Sequence, residues 1–259
     1  MSLENYTVVV TGAAGGLGKT IAKSFLSAGS NVAICDVSAP RLASASEELG
    51  SDTARFLASQ TDITDEAAVT SFFASVVEKF GKVDMLVNNA GIMDVFDPVG
   101  ETDKTMWDRV MGVNTTGTFL SSKAAVNHML PSGGGTIISV GSVASYRGGA
   151  AGAAYTASKH AVAGLSKNTA AFYGHKGINS IVLYVGGMDE TNIAESFASG
   201  KANMEGLARQ KELMPGFVYG ETSVPLADVA KYCVFFADKG VATASNGGEI
   251  TVNKNWPSA

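Results

Sequence analysis

Tyr155 and Lys159 are the pair of residues in this sequence best suited to acid-base chemistry. They lie four positions apart in Tyr155-Thr-Ala-Ser-Lys159, a spacing that places two side chains on one face of a helix. Because a cation favours the phenolate, we expect Lys159 to lower the pKa of Tyr155 from its ordinary value of ~10. Ser142 follows the apolar run Thr136–Val140, which predicts a buried strand. A hydroxyl at that strand end can be directed at the helix that carries the pair.

Composition limits the classes of protein that the chain can represent. Its 259 residues are 46% hydrophobic and 17% charged, with a formal net charge of −5. This excludes a disordered chain and gives no basic surface for nucleic acid or an anionic membrane. The length fits one α/β domain over 1–259, since no linker-like stretch divides it. Cys35 and Cys233 predict buried free thiols, and no signal peptide or membrane-spanning segment is evident, so we expect a cytoplasmic protein.

A glycine-rich turn near the start of the chain predicts a phosphate-binding site. The apolar run Tyr6–Val10 predicts a strand, Thr11-Gly-Ala-Ala-Gly-Gly-Leu-Gly18 a turn, and the periodicity that follows a helix. Gly12, Gly16 and Gly18 let the backbone approach a ligand closely. The helix N-terminus beyond them offers free N–H groups and a positive dipole end to a diphosphate.

Asp36 closes the second predicted strand, eighteen residues after Gly18 (36 − 18). In a dinucleotide-binding βαβ unit, an acid at this point holds the hydroxyls of the adenosine ribose. Its carboxylate accepts from the 2′-hydroxyl and repels a 2′-phosphate, and the neighbouring Gly15 and Val37 bring no positive charge. We therefore expect NAD rather than NADP. Arg41 is the nearby cation that would offset the repulsion, and we interpret it as a helix-surface residue.

Strand and helix patterns alternate along the rest of the chain. Strands are predicted at 31–36, 54–59, 83–87, 136–140, 178–185 and 249–252, and helices from about 65 and over 102–129, 153–173 and 226–237. This alternation predicts an α/β fold of Rossmann type, a doubly wound, seven-stranded parallel sheet with helices on both faces. Residues 188–224 interrupt it with an apolar helical excursion. Its apolar residues are Met188, Ile193, Phe197, Met204, Leu207, Leu213, Met214, Phe217 and Tyr219.

With these motifs the chain resembles the short-chain dehydrogenase/reductase family, of the compact single-domain type, from Thr7 to about Val252. The turn described above resembles the family's cofactor turn, Asp62-Ile63 its adenine contact and Asn88-Asn-Ala-Gly91 its central-strand motif. Asn114, Ser142, Tyr155 and Lys159 match its catalytic tetrad. The candidate cofactor-binding residues are Gly12, Gly16, Leu17, Gly18, Asp36, Asp62, Ile63, Asn89, Ala90, Gly91, Tyr155, Lys159, Gly187 and Thr191.

The resemblance implies a role for each member of the tetrad. Tyr155 would exchange a proton with the substrate oxygen while hydride moves between substrate and nicotinamide, and Lys159 would lower its pKa and hold the nicotinamide ribose. Ser142 would hydrogen-bond the substrate oxygen, and Asn114 would hold a water that links Lys159 to solvent. No metal is required. Two structural alternatives stay open: Asp62 as a helix-start residue, and Asn114 as a local break in its helix.

One departure from the family pattern follows the sixth strand, where Gly186-Gly187 stands in place of Pro-Gly. Thr191 still lies four residues after Gly187 (191 − 187), so its hydroxyl or backbone is the candidate contact for the nicotinamide carboxamide. A Gly-Gly pair is more flexible than Pro-Gly. We therefore expect the nicotinamide to be held less firmly.

The resemblance places the excursion over 188–224 above the substrate as a lid. Its apolar residues favour a small hydrophobic alcohol or ketone, although the same spacing is also typical of core packing. Phe96, Val143, Tyr146 and Met188 are the candidate pocket walls.

These observations together predict an NAD(H)-dependent oxidoreductase acting on a hydrophobic secondary alcohol or ketone. One alternative is a non-catalytic NAD-binding scaffold or sensor, which would have no chemical need for Ser142, Tyr155 and Lys159 together. The other is an epimerase or dehydratase on the same fold, disfavoured because such relatives carry a long C-terminal substrate domain. Small residues on a second face of helices 102–129 and 153–173 predict a homotetramer, with a homodimer as the alternative.

Overall fold

The computed structural model describes residues 2–50, 52–189, 191 and 202–257. Seven strands form one parallel sheet in the order β3-β2-β1-β4-β5-β6-β7, which confirms the predicted doubly wound architecture. The strands are β1 (Thr7–Thr11), β2 (Asn31–Asp36), β3 (Phe56–Gln60), β4 (Met85–Asn88), β5 (Gly135–Val140), β6 (Ile178–Val185) and β7 (Glu249–Val252). The helices are α1 (Gly16–Ser27), α2 (Ala39–Leu49), α3 (Glu66–Phe80), α4 (Lys104–Met111), α5 (Thr118–Met129), α6 (Ala153–Tyr173), α7 (Met204–Leu213), α8 (Leu226–Phe235) and α9 (Lys239–Ala244).

The central strand β1 shows why the strands of this sheet are apolar runs. Val8 and Val10 face one core with Phe25 of α1, whereas Val9 faces a second core with Phe73 of α3. Successive side chains of a strand point to opposite faces, so a sheet covered by helices on both sides requires apolar residues at every position. The order reverses between β1 and β4, and their carboxyl ends leave a crevice there.

The predicted helix over 102–129 has a wide turn at its centre. Helices α4 and α5 are joined by π-helical residues Gly112–Gly117. The side chain of Asn114 accepts from the backbone N–H of Ile92 at 2.8 Å and donates to its carbonyl at 2.9 Å. These bonds hold Asn114 against the segment after β4. The structural alternative for this residue, a local break in its helix, is observed as the π-helical turn. Such π-bulges occur frequently at functional sites.

The predicted excursion over 188–224 contains helix α7, and its two ends meet where Met188 bridges Val224. Asn203 caps α7 by accepting from Gly206 N–H, and its amide donates to the Asp97 carboxylate at 2.9 Å. These bonds attach α7 to the loop after β4. The predicted lid residues Ile193 and Phe197 lie outside the described residues.

The small-residue faces predicted for subunit contact differ between the two helices. On α5, Ser121 and Ala125 are buried inside the subunit, and Gly117 of the π-turn packs against Ile63. On α6, Ala157, Ala161 and Gly164 are partly or fully exposed. Ala124 of α5 is partly exposed, so within the described residues the α6 face is the more open of the two. The homotetramer stays a prediction. Within the described residues, no helix is both long and apolar enough to span a membrane.

Candidate active site

A cavity of about 1190 Å³ opens where the strands of the sheet end. Its lining includes the segments that follow β1, β2, β4, β5 and β6, the edge at which doubly wound sheets bind ligands. Three predicted catalytic residues, Ser142, Tyr155 and Lys159, border it, whereas Asn114 is buried behind it. The predicted cofactor residues that border it are Gly12, Gly16, Leu17, Asp36, Asp62, Ile63, Asn89, Ala90, Gly91, Tyr155, Lys159, Gly187 and Thr191.

Gly18 is the predicted cofactor residue that the structure places elsewhere. A Cβ at Gly18 would lie 2.5 Å from both Asn89 Nδ2 and the Gly12 carbonyl oxygen. Asn89 Nδ2 donates to the carbonyls of Thr11 and Gly12 at 3.0 and 2.9 Å. Gly18 therefore permits close packing of α1 on this amide. Gly18 is not among the residues that border the cavity, and its contact with a ligand stays a prediction.

Gly12 shapes the cavity at the end of β1. It has φ of 61°, in the left-handed region that favours glycine. A Cβ there would lie 2.7 Å from Ala90 Cα. Thr11 Oγ1 accepts from the N–H groups of Asn89 and Ala90, both at 3.1 Å. The two segments at the switch point are thus joined directly, with no room for a larger residue.

Asp36 lies at the end of β2 with its carboxylate on the cavity. One oxygen accepts from Ala14 N–H at 3.2 Å and the other from Ser38 N–H at 2.9 Å. A carboxylate has about four lone-pair sites, so both oxygens keep capacity for further donors. Arg41, predicted as a helix-surface residue, also borders the cavity. Lys19 is paired with Glu48 at 2.6 Å.

The Asp62-Ile63 motif has a local structural role as well as a place on the cavity. Asp62 Oδ1 accepts from the N–H and the hydroxyl of Thr64, at 2.9 and 2.7 Å. The helix itself is capped by Asp65, which accepts from two N–H groups of α3. The Ile63 side chain packs so closely on Gly117 that a Cβ there would lie 2.5 Å from Ile63 Cδ1.

Tyr155 and Lys159 lie on the same face of α6, as their spacing predicts. Tyr155 is hydrogen-bonded to the Ser142 side chain, and Lys159 Nζ lies 5.5 Å from the centre of the Tyr155 ring. Lys159 Nζ donates to the carbonyl of Val140 at 2.8 Å. Ser142 is itself held at the start of a 3-10 turn by accepting from Ala144 N–H at 3.1 Å. The sheet end therefore fixes all three groups.

Burial dominates the pKa values of this pair. It raises the pKa of Tyr155 to about 12, against the lowering effect of the Ser142 hydrogen bond, and Asp94 adds to the rise. It lowers the pKa of Lys159 to about 8. Desolvation penalises both charged forms and is the largest contribution to both pKa values. The lowering of the Tyr155 pKa by Lys159 stays a prediction.

Asn114 was expected to hold a water that serves Lys159. Its Nδ2 donates to Ile92 O and Ser158 Oγ, while Oδ1 accepts from Ile92 N–H. A Cβ at Gly91 would lie 3.4 Å from Asn114 Oδ1 and 3.5 Å from Lys159 Nζ. Glycine at this position keeps the space between the two groups open. The bound water stays a prediction.

Asp94 is a residue that the sequence analysis missed. It is 1% exposed, yet its carboxylate accepts from Tyr155 N–H at 2.8 Å, Gly152 N–H at 3.1 Å and Phe96 N–H at 3.1 Å. Burial raises its pKa against the lowering effect of these three donors. Asp94 thus anchors the first turn of α6, including Tyr155 itself, to the loop after β4. Asp94 lies 58 positions before Gly152, the residue that precedes α6. The sequence around the helix start therefore gives no sign of this cap.

We expect Asp94→Asn to lower kcat while leaving the affinity for NADH nearly unchanged, because it disturbs the turn that carries Tyr155 and not the glycine turn. The amide presents an N–H where an acceptor is needed, so the free energy of unfolding should fall by about 1–3 kcal/mol. Stopped-flow turnover and NADH fluorescence titration measure the two effects. Glu78→Gln, at an exposed acid of α3 that does not border the cavity, is the control. Unchanged kcat in Asp94→Asn would contradict the positioning role.

The predicted pocket walls divide into two groups. Phe96, Val143 and Met188 border the cavity. Tyr146 is not among the residues that border it. Its ring lies 5.4 Å from the ring of Tyr184, and the residue is 43% exposed. Its contact with a substrate stays a prediction. Further walls come from the loop after β4, from the predicted lid and from the end of the chain: Met93, then Gln210, Met214 and Phe217, then Trp256.

Comparisons with known proteins agree with this fold and site. Residues 6–202 match the family model described as short chain dehydrogenase. The chain is 43% identical to short chain dehydrogenase/reductase dpchG of Colletotrichum higginsianum, with 99% of this chain and 95% of that protein covered. It is 32% identical to 3beta-hydroxysteroid dehydrogenase 2 of Eggerthella lenta, with 98% and 95% covered. The crystal structure of levodione reductase shares the fold, with TM-score 0.85 and 24% identity over 98% of each chain.

A parallel sheet with a glycine-lined crevice at its switch point, beside a serine and a buried tyrosine and lysine, defines an oxidoreductase of Rossmann type. The chain belongs to the short-chain dehydrogenase/reductase family.

Proposed function

We propose that the protein is an NAD(H)-dependent oxidoreductase that interconverts a hydrophobic secondary alcohol and its ketone, with Tyr155 as acid-base residue. The observation that carries this proposal is that one cavity is bordered by Asp36 at one strand end and by the hydrogen-bonded Ser142 and Tyr155, with Lys159, at another. A scaffold or sensor would need the first feature only.

The residues at the switch point fit a dinucleotide. A Cβ at Gly12 would lie 2.7 Å from Ala90 Cα, so glycine lets the turn after β1 pack on the segment after β4. The start of α1 at Gly16 presents N–H groups suited to a diphosphate. Asp36 would hold the adenosine ribose, Asp62 and Ile63 the adenine side, and Lys159 the nicotinamide ribose. When bound, the cofactor supplies or accepts the hydride.

Side chains of the protein transfer the proton in this proposal. Ser142 is placed to hydrogen-bond the substrate oxygen. Tyr155 beside it would accept the alcohol proton as the phenolate during oxidation and donate its proton as the phenol during reduction. The substrate side of the cavity is bordered by Val95, Phe96, Met106, Val143 and Met214. This apolar lining favours a hydrophobic substrate.

The proposal is tested by mixing the purified protein with NAD and a panel of cyclic and acyclic secondary alcohols while NADH absorbance is recorded. Turnover of one class of hydrophobic alcohol is the expected result. NADH binding without turnover in either direction would favour a non-catalytic scaffold. Release of a changed substrate without net NADH formation would favour an epimerase or dehydratase.

We expect alcohol oxidation and ketone reduction to differ in pH dependence. Oxidation needs the Tyr155 phenolate, whose fraction grows about tenfold per pH unit below its pKa, so kcat/KM should rise with pH. Above about 8 the rise should flatten, because Lys159 loses its charge there and no longer stabilises the phenolate. Reduction needs the neutral phenol, which remains the dominant form well below a pKa of about 12, so its rate should change little over the same range.

Initial rates between about pH 6 and about pH 10 in both directions measure this dependence. Lys159→Met, which has no titrating amine, should lower the oxidation rate and remove the change of slope near about 8. An oxidation rate that falls with pH below that value would contradict the assignment of Tyr155 as base.

A further inference from the structure

The segment after β7 returns to the cavity. Trp256 borders it, and its ring lies 4.7 Å from the ring of Phe217 at an angle of 55°. The indole Nε1 donates to the carbonyl of Pro215 at 2.9 Å, and Lys254 Nζ donates to the carbonyl of Glu221 at 3.2 Å. Residues 253–256 are thus attached at several points to the part of the lid that follows α7.

The Gly186-Gly187 pair provides the space for this arrangement. A Cβ at Gly186 would lie 2.9 Å from Asn253 Cβ and 3.3 Å from the Trp256 carbonyl oxygen. A Cβ at Gly187 would lie 2.3 Å from Cε2 of the Phe217 ring. A proline ring in place of Gly186 would therefore collide with the chain end. The departure from Pro-Gly at these positions is explained by packing of the chain end and the lid against the end of β6.

We propose that Trp256 and Phe217 are specificity-determining residues, which form the cavity wall beside Gly187 and limit the size of the substrate group accepted there. The inference rests on the proposed function and adds the feature that sets substrate size. Phe217 is 41% exposed, so the pair separates the cavity from solvent. Truncation of either ring should open the cavity outward without disturbing the glycine turn or Asp36.

The test uses Trp256→Ala and Phe217→Ala with Tyr219→Ala as matched control, since Tyr219 belongs to the same lid segment, is 68% exposed and does not border the cavity. The substrates are cyclohexanol and 4-cyclohexylcyclohexanol with NAD. We expect the ratio of kcat/KM for the large to the small alcohol to rise about tenfold or more in the first two variants. It should stay unchanged in Tyr219→Ala. An unchanged ratio in both wall variants would overturn the proposal.

A second measurement does not depend on turnover. The chain has two tryptophans, so Trp107→Phe leaves Trp256 as the only indole. In this variant, adding 4-cyclohexylcyclohexanone in the presence of NAD, which cannot react with it, should shift the emission of Trp256. Gly186→Ala should shift the emission to longer wavelength without ligand, because its methyl group displaces the chain end.

The two measurements separate the possible failures. If the wild-type chain oxidises no alcohol but the Trp256 emission responds to the ketone, the proposed reaction is wrong and the role of Trp256 in the cavity wall is supported. If the wild-type chain oxidises alcohols but neither the emission nor the size ratio changes, the proposed reaction is supported and the size-limiting role of Trp256 and Phe217 is wrong.

Discussion

Replacing Tyr155 with phenylalanine should lower kcat about 100- to 10,000-fold, the contribution typical of a positioned acid-base group. The phenol is 6% exposed and hydrogen-bonded to Ser142, so its removal deletes one proton donor and acceptor while the ring keeps its packing. Affinity for NADH should change little, because Asp36 and the glycine turn are untouched. Stopped-flow turnover and NADH fluorescence titration give the two values.

Tyr173→Phe provides the matched control for this experiment. Tyr173 lies at the other end of α6 and does not border the cavity, so removal of its hydroxyl should leave kcat unchanged. Retention of more than about one per cent of wild-type kcat in Tyr155→Phe would remove Tyr155 from the acid-base role, since the loss would fall below the expected range.

The sheet and the cavity edge were predictable because they follow from short-range patterns. The strands are apolar runs separated by helical periodicity, as Val8, Val9 and Val10 illustrate, and parallel order then brings all their carboxyl ends to one side. Asp36 and Ser142 both lie near strand ends, so their arrival at one cavity follows from topology. The four-residue spacing of Tyr155 and Lys159 fixed their common helix face.

What the sequence did not reveal depends on contacts between distant segments. Asp94 caps a helix that begins far along the chain. The contact of Trp256 with the lid depends on how the chain end returns after β7. The departure from Pro-Gly at Gly186 and Gly187 was visible in the sequence. Its cause was not, because it lies in the close packing of Asn253 and Phe217 against these two glycines. The pKa of Tyr155 was not predictable from local spacing, because burial depends on the three-dimensional structure and is the largest contribution to this pKa.

Asp36 should give the protein a strong preference for NAD over NADP. Its two oxygens accept from Ala14 N–H and Ser38 N–H and keep lone pairs for the 2′- and 3′-hydroxyls of the ribose. A charge-assisted hydrogen bond of this kind contributes ~1.5–3 kcal/mol. NADP would instead bring a phosphate against the carboxylate. Since each ~1.4 kcal/mol is a factor of ten, kcat/KM should favour NAD by about a hundredfold or more.

Asp36→Asn should reduce this preference, because it removes the negative charge and keeps one oxygen for the backbone N–H groups. Adding Val37→Arg should turn it toward NADP, since Val37 is 61% exposed and also borders the cavity. The measurement is kcat/KM with NAD and NADP for one alcohol. Arg41→Ala is the decisive companion, because Arg41 borders the same cavity while Lys19 is paired with Glu48. If the wild-type protein uses both cofactors equally and Arg41→Ala loses only NADP activity, then Arg41 binds the 2′-phosphate and Asp36 does not select the cofactor.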